Sequence, residues 1–190
     1  MAKANIEIKA HQRVSCNDLV GMMPPGCDFL TKMEQTDTYF KTQTGRLKLR
    51  EIIDCQSGTK TAMLIPYIRP DQSGPKVSSY CMEKIEHPTE FKQLMMSILG
   101  QHIVVHKIRI VWLYLDTVRI HLDTVTDLGL FFELEGVYDP NDLASEKLAR
   151  ERVDYLMHCF QIKPADLITT SYEQLVQNKV SHSQIQSADQ

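Results

Sequence analysis

The feature that most constrains this chain is a short alternation of cations and leucines at residues 45–51, which read Gly-Arg-Leu-Lys-Leu-Arg-Glu. Successive side chains of a β-strand point to opposite faces of the sheet, so Arg46, Lys48 and Arg50 would share one face and the two leucines the other. Like charges on one face repel one another, so something must offset them. A single strand of this kind is compatible with a solvated sheet face and also with a binding site for a polyanion.

The same alternation recurs in four further segments, at residues 5–9, 107–110, 119–123 and 133–135. The charge types are sorted among these segments, because Arg and Lys dominate one group and the last segment carries two carboxylates two residues apart. A strand face that only contacts solvent does not require positive and negative residues to be separated in this way. Sorted charges that face one interior are typical of a barrel lumen that holds a polar ligand.

The strand pattern favours an α+β fold, an eight-stranded antiparallel β-barrel with helices packed outside. The aliphatic strand faces would point outward into the helices, and the charged faces would point inward. Helices are predicted at residues 15–21, 87–100 and roughly 140–160, the last with Pro140 in its first turn.

Length and composition narrow the class of protein. The chain of 190 residues is long enough for one domain with a full core, and residues 1–177 are predicted to form it. Residues 178–190 are rich in Ser, Gln and Asn and are predicted to be a disordered tail. The formal net charge of -3 gives no overall basic field, so no nucleic-acid partner is expected.

No apolar run approaches the ~18 residues of a membrane span, and the N-terminus lacks the apolar core of a signal peptide. No membrane association is therefore expected, and the predicted location is cytoplasmic. The five cysteines show no Cys-x-x-Cys spacing, which indicates reduced thiols rather than a zinc site. Both a monomer and a homodimer remain open.

Burying the basic side chains of the predicted inner faces in a lumen of low dielectric would cost a prohibitive free energy without a matching anion. A triphosphate fits, because it is multiply charged and guanidinium groups bind phosphate oxygens in pairs. The predicted phosphate-binding residues are Lys9, Arg46, Lys48, Arg50, Arg69, Lys107, Arg109 and Arg119.

Four acidic residues on the same faces form the second group. Carboxylates are hard oxygen ligands that suit Mg²⁺ or Mn²⁺, and such ions can activate an attacking oxygen. The two groups together predict metal-assisted attack at a phosphorus atom. The predicted metal ligands are Glu7, Asp123, Glu133 and Glu135.

Each of these residues also has a plainer interpretation. Glu133 and Glu135 could lie on a solvated face, or they could pair across strands with Lys107 and Arg109 without any ligand. His121 could be a hydrogen-bonded strand residue rather than a base. The functional interpretation depends on the set as a whole.

In this order the segments resemble the CYTH superfamily, which includes the class IV adenylyl cyclases and thiamine triphosphatase, and they are most similar to its cyclase-type branch. The resemblance extends from Asn5 to about Val176, and the family's fold is an eight-stranded antiparallel barrel called a triphosphate tunnel. The segments that carry it are residues 5–10 (Asn-Ile-Glu-Ile-Lys-Ala), 35–40 (Gln-Thr-Asp-Thr-Tyr-Phe), 45–51, 67–71 (Tyr-Ile-Arg-Pro-Asp), 107–109, 119–123, 128–129 and 132–135.

The resemblance implies that Glu7, Glu133 and Glu135, with Asp123, lie on the metal side and that the eight cations hold phosphates. It also implies catalytic roles for Glu7, Lys9 and Arg119. Asn5 stands where the family's opening motif, Glu-x-Glu-x-Lys, has its first Glu. An amide coordinates a cation more weakly than a carboxylate, so Asn5 in place of Glu would weaken one contact to the metal ion.

Two chemistries follow from the resemblance, and both use Mg²⁺ or Mn²⁺. Water attacks the terminal phosphorus in triphosphate hydrolysis, whereas the ribose 3′-hydroxyl of ATP attacks the α-phosphorus in cyclisation to cyclic AMP. We favour hydrolysis of tripolyphosphate, a nucleoside triphosphate such as ATP, or thiamine triphosphate. A non-catalytic protein that binds triphosphate or polyphosphate is the third hypothesis.

Overall fold

The structure, a computed structural model, describes residues 4–68 and 79–188. These residues form nine β-strands and four α-helices. The strands are β1 (Ala4–His11), β2 (Cys27–Phe40), β3 (Arg46–Asp54), β4 (Lys60–Ile68), β5 (Ser79–Tyr80), β6 (Glu83–Lys84), β7 (Gln101–Tyr114), β8 (Val118–Val125) and β9 (Gly129–Tyr138). The helices are α1 (Cys16–Gly21), α2 (Pro88–Leu99), α3 (Leu143–Cys159) and α4 (Tyr172–Ala188).

All the strands belong to one antiparallel sheet. Eight of them follow the order β1-β9-β8-β7-β2-β3-β4-β5, and the two-residue strand β6 pairs with β4 beside this path. The prediction of an α+β fold with an eight-stranded antiparallel sheet is confirmed. Within the described residues no hydrogen bonds join β1 to the far end of the path, so the sheet is not closed by hydrogen bonds.

The sheet is nevertheless strongly curled. Five strand-to-strand steps separate β1 from β3, which would place them about 24 Å apart in a flat sheet. Lys9 of β1 lies over the ring of Tyr172 with its Nζ 4.1 Å from the centroid, and Arg46 of β3 lies 3.1 Å from the next residue, Glu173. Two consecutive side chains reach both strands only because the sheet wraps around the start of α4.

The convex side of the sheet holds the largest apolar cluster. Val153 and Leu156 of α3 are buried against Phe132 and Leu134 of β9. Burying one such side chain contributes roughly 1.5–3 kcal/mol to stability. The apolar faces of the strands therefore do point outward into a helix, as the alternation predicted.

A second helix covers the outer face of β3. Leu49 is fully buried, and Phe91, Met95 and Leu99 of α2 pack against its cluster. Because neighbouring residues on a strand point to opposite faces, Lys48 and Arg50 must face the concave side. This placement confirms the prediction that the cations of this strand face one side of the sheet and the leucines the other. The concave side is called the inner face below.

One helix boundary differs from the predicted one, and a fourth helix extends into the segment predicted to be a tail. Helix α3 begins at Leu143 rather than at Pro140, because the Asp142 side chain accepts a hydrogen bond from the Ala144 amide and caps the helix. Helix α4 continues to Ala188 through the segment predicted to be disordered. Polar composition indicated disorder, but the helix is anchored at its start by packing of Leu175 and Val176, and elongation from an existing turn is inexpensive.

The helices within the described part of the chain include none that is long and apolar enough to cross a membrane.

Candidate active site

Residues that lie directly opposite each other in an antiparallel pair share a face of the sheet. The register pairs Glu7 and Arg119 each with Glu135, so these three side chains share a face. It also pairs Lys9 with Glu133, Arg109 with Asp123 and Arg50 with Asp37. The predicted cations and carboxylates of the described strands therefore meet on the inner face. Arg69 lies outside the described residues.

Arg109 forms the strongest set of contacts. Its Nε and Nη2 donate to Asp123 Oδ1 and Oδ2, each at 2.6 Å, and Nη2 also donates to Glu133 Oε2 at 2.5 Å. Lys107 Nζ donates to Asp123 Oδ2 at 2.9 Å. Burial alone would raise the pKa of the fully buried Asp123, but Arg109 and Lys107 outweigh it and hold this pKa below its usual value.

Glu133 lies between three basic groups. Its Oε1 is 3.4 Å from Lys9 Nζ, and its Oε2, which accepts from Arg109, lies 3.5 Å from His121 Nδ1. The nearby charges overcome the effect of burial and hold the pKa of Glu133 well below its usual range. Burial, followed by the charge of Arg109, lowers the pKa of His121, which favours the neutral ring. His121 is thus a buried neighbour of Glu133, and its Nδ1 makes no well-directed hydrogen bond.

Two cations of β3, Lys48 and Arg50, converge on a residue that the sequence interpretation missed. Lys48 Nζ donates to Asp37 Oδ2 at 2.8 Å, and Arg50 donates to both Asp37 oxygens at the same distance. Burial would raise the pKa of Asp37, but these two charges hold it far below normal. Burial lowers the pKa of Lys48 to about 8, which Asp37 only partly opposes. The signal in the sequence was the alternation in residues 35–40, which places Gln35, Asp37 and Tyr39 on one face.

The β3 cations Lys48 and Arg50 lie close enough to the β7 cations Lys107 and Arg109 for the two pairs to repel each other. The charge of Arg50 is among the causes that lower the pKa of Lys107 to about 8, after burial and Arg109. We name Lys9, Lys48, Arg50, Lys107 and Arg109 the central cation cluster. These five cations share three carboxylates, those of Asp37, Asp123 and Glu133, so the cations outnumber the carboxylates within the group.

The start of α4 contributes two more residues that the sequence gave no reason to select. Tyr172 donates through its hydroxyl to Asp123 Oδ2 at 3.0 Å, and its ring lies 4.8 Å from Lys107 Nζ. Burial, followed by the charges of Glu133 and Asp123, raises the pKa of Tyr172. The carboxylate of Glu173 lies 3.1 Å from Arg46. No strand periodicity points to these residues, because only the path of the chain brings them to the inner face.

The remaining predicted residues lie near the edge formed by β1. Arg119 donates to Glu135 Oε2 at 3.0 Å, and Asn5 Nδ2 donates to Glu135 Oε1 at 2.9 Å. Burial would raise the pKa of Glu135, but these two hydrogen bonds lower it. Arg119 is 47% exposed at its side chain, whereas Lys107 is 4% exposed, so Arg119 lies at an opening of the inner face. Glu7 opposes Glu135 on the neighbouring strand.

The acidic residues suit Mg²⁺ or Mn²⁺ in their chemistry, since all offer carboxylate oxygens. In residues 4–68 and 79–188, however, no three acidic, imidazole or thiol side chains converge on one point where a metal ion could be held. Asp123 serves as the counter-ion of Lys107 and Arg109, whereas Glu7, Glu133 and Glu135 lie side by side on β1 and β9. The predicted metal ligands therefore do not form a metal-binding cluster in this part of the chain.

Comparison with known families found no family profile that matches the chain. No curated protein matches it in sequence either. Solved structures do match. The PH1819 protein from Pyrococcus horikoshii OT3 is 18% identical, with a TM-score of 0.71 over 92% of this chain and 99% of that chain. The PH1012 protein of the same organism is 22% identical, with a TM-score of 0.69 over 90% and 98%.

A third match is a candidate adenylate cyclase from Vibrio parahaemolyticus, 18% identical, with a TM-score of 0.63 over 93% of this chain and 99% of that chain. A fourth is HpAC1 from Hippeastrum, an adenylyl cyclase candidate described as having a dominant triphosphatase activity. It is 12% identical, with a TM-score of 0.60 over 85% and 89%. At these identities the likeness concerns the fold. The chain therefore shares the fold of these four solved structures.

Proposed function

We propose that this protein is an enzyme that hydrolyses an organic or inorganic triphosphate with the help of a divalent metal ion. The observation that carries the proposal is the central cation cluster, in which five cations share three carboxylates on the inner face of a curled sheet. The excess of cations over carboxylates in this mostly buried group favours a multiply charged anion. HpAC1, which shares the fold, is described as a triphosphatase, and this likeness supports the same substrate class.

The cations would act mainly by binding phosphate oxygens and by stabilising the charge that develops during phosphoryl transfer. Lys48 and Arg50 are held in place by Asp37, so they are ordered before the anion arrives. A phosphate group offered to Arg109 would compete with Glu133 for the same guanidinium. Such an exchange would leave the Glu133 carboxylate available for a metal ion.

Mg²⁺ or Mn²⁺, held by Glu7, Glu133 and Glu135, would supply an electrophile for the phosphate oxygens and an activated nucleophile. The roles of Glu7, Lys9 and Arg119 as catalytic residues are part of this proposal. Lys9 is well suited to a phosphate, because its Nζ lies 3.4 Å from Glu133 at the centre of the cluster. Arg119, at an opening of the inner face, is suited to an outer phosphate or to the group attached to it.

A second candidate function has its own supporting observation. Asn5 donates a hydrogen bond to Glu135 Oε1, and this contact engages an oxygen that a metal ion would need. If that contact persists when an anion binds, the protein would bind triphosphate or polyphosphate without turning it over.

Chromatographic analysis of ATP products separates these functions. Purified protein is incubated with ATP and either Mg²⁺ or Mn²⁺, and tripolyphosphate and thiamine triphosphate are assayed in parallel. Release of phosphate with ADP, or phosphate from either alternative substrate, supports hydrolysis. Cyclic AMP with pyrophosphate identifies a cyclase and overturns the hydrolase proposal. Intact substrates combined with a thermal shift on adding tripolyphosphate identify a non-catalytic binder.

A further inference from the structure

The first turn of α4 enters the inner face at a position that the preceding chain fixes. Ala10 of β1 forms a β-bridge with Leu167, and the Ile168 amide donates to the carbonyl of Lys9 at 2.7 Å. The Lys9 side chain in turn donates to the carbonyl of Thr170 at 3.4 Å. This segment therefore runs beside β1 and delivers the start of α4 to the charged interior.

Two consecutive residues of that turn contact different parts of the curled sheet. Tyr172 donates to Asp123 of β8 at 3.0 Å, and the two side chains are both buried. Glu173 points to β3 and β7, with Oε2 3.1 Å from Arg46 Nε and Oε1 3.6 Å from His102 Nε2. The first turn of α4 therefore spans the inner face between β8 and β3.

Arg46 differs from the other cations of its strand. Lys48 and Arg50 share Asp37, which belongs to the neighbouring strand, whereas Arg46 is paired with a carboxylate that comes from a helix. The three cations extend over about 13 Å of β3, with Arg46 at one end. If an anion that lies along Arg50 and Lys48 extended as far as Arg46, it would meet the negative charge of Glu173.

We propose that Glu173 determines specificity by limiting the length of the phosphate chain that the inner face accepts. The inference rests on the proposed function, because it assumes that the central cation cluster binds a triphosphate. A chain of three phosphates is held by that cluster. A longer chain brings a further negative group to Arg46, where the buried carboxylate of Glu173 already lies. Like charges at such a distance repel strongly away from bulk water.

The test compares inorganic tripolyphosphate with tetrapolyphosphate by calorimetry in the presence of a chelator, so that no metal or turnover is involved. Wild-type protein is expected to bind tripolyphosphate more tightly than tetrapolyphosphate. Glu173→Gln keeps the shape of the side chain and removes its charge. It should tighten tetrapolyphosphate binding about tenfold and change tripolyphosphate binding less than threefold. Glu151→Gln, which removes an exposed carboxylate of α3, should change neither.

The outcomes separate the two claims. If wild-type protein binds tripolyphosphate and Glu173→Gln changes both affinities by the same factor or by none, the length limit is wrong and the proposed site stands. If neither protein binds either chain, the site and the length limit both fail. Should Glu173→Gln not fold, Glu173→Asp keeps the charge and withdraws it by one methylene, and a smaller gain confined to tetrapolyphosphate is expected.

Discussion

Arg50 binds Asp37 through two parallel hydrogen bonds, from Nε to Oδ1 and from Nη2 to Oδ2, each 2.8 Å long. Lys48 Nζ shares Oδ2 at 2.8 Å, so one carboxylate holds two cations and leaves one positive charge unmatched. This arrangement orders the cations and keeps the group attractive to anions. It makes Asp37 as important to the inner face as the basic residues around it.

Asp37→Asn should destabilise the protein by about 3 kcal/mol, because removing one partner of a buried ion pair leaves the other charge uncompensated. Denaturant unfolding followed by circular dichroism measures the change. Asp28→Asn, an exposed position on the same strand, is the matched control and should change stability by less than about 0.5 kcal/mol. Equal stability of the two variants would show that Asp37 is not the counter-ion of Lys48 and Arg50.

Lys48→Glu should weaken the binding of every triphosphate alike, since Lys48 contacts only the phosphate part of a ligand in this account. Losing one charge-assisted hydrogen bond, worth ~2 kcal/mol, corresponds to about a 30-fold loss of affinity, and the repulsion from the new carboxylate adds to this loss. Calorimetry with tripolyphosphate, ATP and thiamine triphosphate measures it, and Lys60→Glu on the exposed start of β4 is the control. A change in preference among the three ligands, without a loss of affinity, would assign Lys48 a different role.

The pH dependence of binding should reflect the pKa of about 8 for Lys48. Burial lowers this pKa from the usual value of a lysine. The side chain is therefore protonated below pH 8 and loses its proton as the pH rises through 8. An anion binds the protonated form, so affinity is retained below pH 8 and falls about tenfold by pH 9 for this one lysine.

Lys48→Arg provides the control for that measurement, since an arginine keeps its charge over the whole range. The ratio of wild-type to variant affinity for tripolyphosphate cancels the titration of the ligand itself. We expect this ratio to be constant from pH 6 to 7 and to fall between pH 8 and 9.5. A constant ratio throughout would mean that Lys48 does not titrate in this range.

The contact between α3 and β9 leaves little space at Gly136. A Cβ added there would lie 2.9 Å from Val153 Cγ2 and 3.3 Å from the Ala149 carbonyl, so Gly136→Ala should cost about 1–3 kcal/mol. Gly21→Ala is the control, because nothing lies within 4 Å of its added Cβ. Thermal unfolding compares the two variants. A Gly136→Ala protein as stable as wild type would show that α3 packs less closely on the sheet.

The strand faces could be predicted from the sequence because alternation is local and has a period of two. Arg46, Lys48 and Arg50 needed only that period to be assigned to the inner face. Asp37 was missed because a single carboxylate in a strand does not reveal its partners. Glu173 was missed for another reason: its place on the inner face depends on the chain from Leu167 onward running beside β1, a long-range contact.

Glu133→Gln separates binding from turnover. The change removes a negative charge from the central cation cluster, so metal-free affinity for tripolyphosphate should be kept or increased, while hydrolysis should be lost. Glu34→Gln, at an exposed position on β2, should change neither property. Unchanged turnover in Glu133→Gln would remove Glu133 from the proposed metal ligands.

Phosphorus NMR of tripolyphosphate incubated with the purified protein and Mg²⁺ or Mn²⁺ follows the proposed hydrolysis directly. With wild-type protein, the resonances of tripolyphosphate should be replaced by those of pyrophosphate and phosphate, whereas they should persist with Glu133→Gln. Tripolyphosphate resonances that persist with wild-type protein under both metals would contradict hydrolysis, whether or not they shift on binding.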